Sequence, residues 1–179
     1  MSSLFLCPDK PDWLPENDRI LVDALQSLGL LGQGLSLPTG AGYLPGERFF
    51  QFVSFMGCAP GLKLEPASSD DEKFCHLRVH YYPEPVFLYL RGERQARCPV
   101  CRKPGICASE YAAQGGVVDT CPVCQANIAP GRLDWRKEAG QAGCLLEIRE
   151  VYPHEGVPTD HLLQQLQSVT SQTWIYFYA

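Results

Sequence analysis

Apolar residues follow helical spacing in two stretches of the chain. The first predicted helix begins near Asn17 or Asp18, because either side chain can accept a hydrogen bond from the free backbone N–H groups of the first turn. Its apolar residues recur every three or four positions up to Leu28. The second predicted helix runs from residue 158 to about residue 170 with the same spacing. Each helix should therefore bury one apolar face.

Short apolar runs between Gly, Pro and polar residues predict the strands. They occupy residues 4–7, 49–56, 74–82, 86–90, 144–152 and 173–178. Pro83-Glu84-Pro85 lies between two of these runs and predicts a hairpin turn, since proline cannot continue a central ladder. The Gly- and Pro-rich stretch 29–46 predicts a loop.

These elements predict an α+β fold, with a mixed sheet and two helices. Strand–helix–strand order occurs in both halves of the chain. That order fits two βαβ units on a common sheet, and it equally fits two unrelated amphipathic helices.

Composition places the chain among ordinary folded proteins, because 45% of its 179 residues are apolar and 20% are charged. No apolar run approaches the roughly 20 residues that span a bilayer, and the N-terminal residues lack the basic region of a signal peptide. We therefore expect a cytoplasmic protein with no membrane partner. Thiols stay reduced in that compartment, so the nine cysteines favour metal ligation over disulfides.

The tetrapeptide Cys-Pro-Val-Cys occurs twice, with nineteen residues between the copies. Four thiols in this arrangement are the ligands of a tetrahedral metal site, so we expect Cys98, Cys101, Cys121 and Cys124 to bind one Zn²⁺. Iron is the alternative, since tetrahedral sulfur sites accept both metals. A site with four protein ligands has no open position for water or substrate, which predicts a structural metal.

Residues 96–135 resemble a zinc ribbon of the broad class shared with rubredoxins, on the strength of the two cysteine pairs. The resemblance implies a small module held together by its metal and no particular activity. It predicts a discontinuous core domain, residues 1–95 and 140–179, with the ribbon inserted between them. Zinc ribbons usually carry glycine after each cysteine pair, whereas this chain has Arg102 and Gln125 there.

The stretch from residue 134 to residue 148 resembles a family of uncharacterised bacterial proteins that carry a ribbon. This second resemblance implies no activity.

Residues 91–137 carry eight basic and four acidic residues, although the whole chain has a net charge of −5. The excess either offsets the charge of a metal tetrathiolate or forms a nucleic-acid surface. The residues that would serve such a surface are Arg97, Arg102, Lys103, Trp135 and Arg136. The acidic pI of about 5.3 favours a protein partner over a nucleic acid. Trp135 either docks the ribbon on the core or anchors a partner.

Candidates for catalysis are sparse. His76 and His80 share a strand face but lie about 13 Å apart, too far for one metal. Cys58 falls at a predicted strand end, and His154 precedes the second helix. Cys107 could replace a ligand or react as a thiol.

We therefore expect a non-enzymatic binding protein with structural zinc. The alternatives are an enzyme whose site uses Cys58 or His154, and a thiol–disulfide protein that uses the Cys-Pro-Val-Cys pairs.

Overall fold

A computed structural model describes residues 3–56, 62–68, 71–128 and 132–179. Ten strands and four helices lie within these ranges. The strands are β1 (Ser3–Pro8), β2 (Leu31–Leu37), β3 (Gly40–Pro45), β4 (Val53–Phe55), β5 (Leu77–Tyr89), β6 (Gln95–Arg97), β7 (Pro104–Cys107), β8 (Ala139–Arg149), β9 (Gly156–Pro158) and β10 (Trp174–Tyr178). The helices are α1 (Asp18–Ser27), α2 (Phe49–Phe52), α3 (Ala108–Ala113) and α4 (Asp160–Thr170).

Six strands form the main sheet in the order β10-β1-β8-β5-β3-β2. The α+β prediction is confirmed, with two short helices in addition to the two predicted ones. Where the sequence predicts a mixed sheet, each neighbouring pair of the main sheet is antiparallel. The chain passes from β1 through α1 to β2 across three intervening strands, but from β8 through α4 to β10 across one. The two crossovers therefore differ, which favours two unrelated helices over a repeated βαβ unit.

Both predicted long helices form, α1 directly after its predicted cap Asn17 and α4 at Asp160, two residues later than predicted, because Pro158 belongs to β9. The Asn17 side chain accepts a hydrogen bond from the Arg19 N–H at 2.9 Å, and Thr159 accepts one from the Leu162 N–H at 3.3 Å. The helices pack their apolar sides on one face of the sheet. The core there includes Leu21 and Leu25 of α1, Leu162 and Leu166 of α4, and Leu4, Leu6, Leu146 and Ile148 of the sheet. Within the described ranges, no helix has the length and apolar character needed to cross a bilayer.

The stretch 29–46, predicted as a loop, instead contains the β2–β3 hairpin. Its glycines allow close approach of the backbone. A Cβ on Gly32 would lie 2.9 Å from the Pro45 carbonyl oxygen, and one on Gly42 would lie 2.8 Å from the Leu37 Cδ1. The glycines that indicated a loop thus serve contact within a sheet.

Two further strand predictions need correction. The run 49–56 forms the short helix α2 followed by β4, because Phe49 and Phe52 lie one helical turn apart and both are fully buried. The turn predicted at Pro83–Pro85 is absent, and β5 continues through it. An irregularity in the β5–β8 pairing between Tyr81 and Val86 accommodates the prolines.

The other face of the main sheet, opposite α1 and α4, is covered by the paired strands β5 and β8 where they extend past the neighbouring strands. Phe5 of β1 stacks on Phe177 of β10 with 5.4 Å between ring centroids. Ala142 and Leu145 of β8 join the same buried cluster. Between β5 and β8 the chain forms the segment that carries the cysteines: the first pair lies between β6 and β7, and the second pair follows α3.

Candidate metal centre

The two Cys-Pro-Val-Cys segments form matching turns. The Arg102 N–H donates to the Cys98 carbonyl at 3.0 Å, and the Gln125 N–H donates to the Cys121 carbonyl at 2.9 Å. Arg102 and Gln125 both have left-handed backbones, with φ of 62° and 59°. These are the positions where zinc ribbons usually carry glycine. The chain therefore adopts the left-handed turn without the residue that does so most easily.

Backbone N–H groups in these turns point at sulfur. The Val100 N lies 3.3 Å from the Cys98 Sγ, and the Val123 N lies 3.4 Å from the Cys121 Sγ. Such donors favour the thiolate, the form in which cysteine binds a metal.

The four sulfurs form a compact group. All lie within 4.8 Å of one another, with 3.8 Å between the Sγ atoms of Cys98 and Cys124 and 3.9 Å between those of Cys101 and Cys121. A tetrahedral site with metal–sulfur bonds of about 2.3 Å has sulfur–sulfur edges of about 3.8 Å. A disulfide would need about 2.05 Å, so the distances fit shared ligation of one ion and no bond within the group.

The pKa values within the group diverge. The Cys124 N–H, with help from the Val123 N–H, lowers the pKa of Cys121 to about 7. The Ala126 N–H favours the thiolate of Cys124, but partial desolvation of the sulfur and hydrogen bonds to the three neighbouring thiols outweigh it and raise the pKa of Cys124 to about 11. A divalent ion would bring the remaining thiols to the thiolate form.

Residues 96–128, called the cysteine segment below, have a small apolar cluster of their own. Its buried members are Ala96, Cys98, Ile106, Tyr111, Cys121 and Ile128. Cys98 and Cys121 are each 2% exposed, whereas Cys124 is exposed to solvent. Cys98 and Cys121 therefore belong to this core as well as to the candidate site.

Trp135 attaches this segment to the main sheet. Its ring centroid lies 5.2 Å from that of Phe87 on β5 and 5.4 Å from that of Tyr111 on α3. The side chain is half-buried, which supports docking on the core over an exposed anchor. The four cations predicted to face a partner, Arg97, Arg102, Lys103 and Arg136, are all exposed.

The other cysteines within the described ranges lie outside the group of four. Cys107, at the end of β7, is partly exposed and lies 3.8 Å from the Gln95 Nε2, outside the group of four. Cys7, Cys75 and Cys144 are buried, and burial raises the pKa of each to about 12, so they are inert core thiols. Cys58 lies outside the described residues.

His154 has a left-handed backbone, and its ring packs 5.2 Å from that of Tyr178. Within the described ranges, the His154 ring makes no hydrogen bond to a serine, threonine or cysteine side chain. The structure thus adds nothing to its predicted catalytic role.

The sequence reasoning did not predict a buried polar group around Glu147, on the face of the sheet opposite α1 and α4. Glu147 accepts a hydrogen bond from the Ser3 Oγ at 2.7 Å, and its other oxygen lies 2.8 Å from the His80 Nε2. Burial alone would raise the pKa of Glu147, but His80, Ser3 and the charge of Arg149 together lower it. The sequence signal for this group was the alternation of polar residues His76, Arg78 and His80 at the start of β5 and just before it.

Fold and centre define an α+β protein with a four-cysteine cluster that could hold a metal ion. Comparison with known protein families, curated proteins and solved structures finds no match in any of the three. Neither the resemblance to zinc ribbons nor that to an uncharacterised bacterial family gains support from them.

Proposed function

We propose that this chain is a non-enzymatic, zinc-containing protein whose ribbon is structural and contributes a surface for a protein partner. The observation that carries the proposal is the sulfur geometry, with edges of 3.8 and 3.9 Å that suit a tetrahedral ion with bonds of about 2.3 Å. Sulfur would fill all four positions, so the ion would supply folding energy and no open coordination site.

Zinc is proposed over iron because it is the usual ion of closed four-cysteine sites that hold a module together. The predicted cytoplasmic location suits such a site, since reduced thiols remain available as ligands. Thiol–disulfide exchange is disfavoured, because both cysteine pairs lie in turns where all four sulfurs converge. A redox pair usually lies at a helix N-terminus with one attacking thiol.

We further propose that residues 96–135 form a metal-dependent unit inserted in a core made of residues 1–95 and 140–179. The small apolar cluster around Ile106 and Tyr111 supports this division, because it is separate from the large core under α1 and α4. A module of this size needs its metal, which is worth on the order of 10 kcal/mol.

The test is elemental mass spectrometry on protein purified without a histidine tag. We expect one zinc per chain in the natural protein and in Cys107→Ser, which changes a cysteine outside the group of four. Cys121→Ser should lose the metal. Iron in the natural protein would replace the structural role with electron transfer, and metal-free protein with four titratable thiols would overturn the proposal.

A further inference from the structure

A groove of about 380 Å³ runs along the outer edge of β10. One wall comes from Tyr111, Trp135 and Lys137, in or beside the cysteine segment, and the other from Trp174 and Tyr176 of β10. The groove thus lies where the proposed ribbon meets the core sheet.

Alternate residues of β10 turn their backbone N–H and C=O groups towards this groove. Ser3 and Ala179 exchange two bonds, at 2.9 and 3.1 Å, so alternate residues from Thr173 onward face β1. The groups of Trp174, Tyr176 and Tyr178 therefore point outward. Since β10 ends the sheet, no further strand of the described chain pairs with them.

One of these outward backbone groups already has a backbone partner, as it would have if another strand were paired with β10. The Tyr178 N–H donates to the Lys137 carbonyl at 2.9 Å. Backbone from another segment thus completes the edge at Tyr178, while the positions at Trp174 and Tyr176 continue the same edge into the groove.

The groove encloses both faces of the edge strand. Both alternating sets of β10 side chains line it: Trp174 and Tyr176, on the face that packs against the core with α4, and Ile175 and Phe177, on the opposite face. An added strand sends alternate side chains to opposite faces, so each set would meet an apolar wall. A compact ligand would use only one wall.

Charge differs between the two ends of the groove. At the end near Tyr178, the cations Arg136 and Lys137 outnumber one carboxylate, that of Asp134, which accepts a hydrogen bond from the Arg136 N–H at 2.9 Å. The Lys137 ammonium contacts the Tyr176 hydroxyl and lies 3.9 Å from the ring centroid. Asp9 lies at the other end, where its N–H donates to the Thr173 carbonyl. The cationic end suits an acidic residue of the occupant.

We infer that the β10 edge binds an extended peptide that adds a strand to the sheet and places an acidic residue beside Arg136 and Lys137. The inference deepens the proposed role in protein binding by naming the form of the partner. Metal analysis of the same samples distinguishes failure of this inference from failure of the proposed function, because peptide binding can fail while one zinc per chain is present.

The probes are two fluorescent hexapeptides of alternating Thr and Val with two Asp residues, at the C-terminus in one and at the N-terminus in the other. Between them they cover both strand directions. We expect one of them to bind saturably in fluorescence anisotropy at low salt. N-methylation of one alternate set of its amides should weaken binding at least tenfold, while methylation of the other set should leave it unchanged.

Charge reversal provides the protein-side test. The double substitution R136E/K137E should weaken the acidic peptide about tenfold and strengthen a peptide with Lys in place of Asp. Lys103→Glu is the matched control, since Lys103 is exposed and is not part of the groove lining. Thermal unfolding of each variant confirms that it folds.

Three results would overturn the inference: no saturable binding of either acidic peptide up to millimolar concentration, equal effects of the two methylation patterns, or equal effects of R136E/K137E and Lys103→Glu. Sedimentation velocity adds a fourth outcome. A dimer that R136E/K137E disrupts would identify a second copy of the chain as the occupant and replace the peptide.

Discussion

Gln125, like Arg102, has a left-handed backbone in the turns of the candidate metal centre. Its φ of 59° lies in the left-handed region, which costs a non-glycine residue about 1 kcal/mol. Gln125→Gly should therefore stabilise the turn by about 0.5 kcal/mol, after the greater flexibility of glycine in the unfolded chain is subtracted. Gln125→Val should destabilise it by more than 1 kcal/mol, because a branched Cβ fits this region worst.

The measurement is zinc affinity by chelator competition together with thermal unfolding of the zinc-loaded protein. Both quantities should rank glycine first, glutamine second and valine last. Equal values for the three proteins would show that metal ligation fixes the turn regardless of the residue there.

His76 predicts a dependence of stability on pH. Its side chain is fully buried, and its Nδ1–H donates to the Phe74 carbonyl at 2.9 Å. Burial, with the charges of Arg78 and Arg149, lowers the pKa of His76. As the pH falls below about 6.5, the unfolded chain takes up a proton that the folded chain refuses, so stability declines by up to about 1.4 kcal/mol per pH unit until the lower folded pKa is reached.

His76→Asn keeps an N–H for the Phe74 carbonyl and removes the titration. Urea unfolding at pH 7.0, 6.0 and 5.0 should show a shallower decline in the free energy of unfolding for the variant than for the natural protein. Metal content measured at each pH shows whether the two proteins are compared in the same metal-bound or metal-free state. Parallel declines would assign the acid sensitivity to other groups.

At the scale of elements, the predictions succeed where one periodicity decides the structure. Helices α1 and α4 need only a cap and one apolar face, and the sequence contains both. The short helix α2 was missed, because four residues with three phenylalanines have the composition of a strand. Only the burial of Phe49 and Phe52 against the core favours a helical turn there.

The β2–β3 hairpin was missed for a different reason, and glycine substitutions test that reason. A Cβ at Gly32 would lie 2.9 Å from a backbone oxygen, whereas one at Gly34 would meet only the Tyr43 ring at 3.9 Å. We expect Gly32→Ala to destabilise the protein by about 1–3 kcal/mol through steric strain. Gly34→Ala should be neutral or stabilise it by up to about 1 kcal/mol. Chemical unfolding of both variants measures the contrast, and equal effects would mean that glycine serves flexibility in this hairpin.

At the scale of the whole molecule, the two candidate sites differ in how far sequence could reveal them. The four cysteines occur in two short repeated segments, so their spacing alone predicts that they share one site. The groove has walls from Asp9, Phe87, Trp135 and Tyr176, residues that only the folded chain makes neighbours. No local sequence pattern predicts that these residues lie together, because their proximity depends on how the paired strands β5 and β8 cover the sheet.

Metal removal should separate the two parts of the molecule. The apolar cluster of the cysteine segment is small, and the ion would contribute on the order of 10 kcal/mol to its folding. After chelation, hydrogen–deuterium exchange should show loss of protection in β6, β7 and α3. Protection in β1, α1 and α4 should persist, since the large core does not include the ligands. Cys107→Ser should behave like the natural protein, and Cys121→Ser should lack the same protection before any chelator is added.

The same treatment should also affect the groove, because Tyr111 and Trp135 form one of its walls and pack on each other at 5.4 Å. If the ion holds that wall in place, chelation should weaken the acidic hexapeptide about as much as R136E/K137E does, and added zinc should restore binding. Loss of protection throughout the chain would instead make the protein a single cooperative unit. Unchanged protection in β6 and β7 would show that the cysteine segment folds without its metal, and the ion would then need a role other than folding.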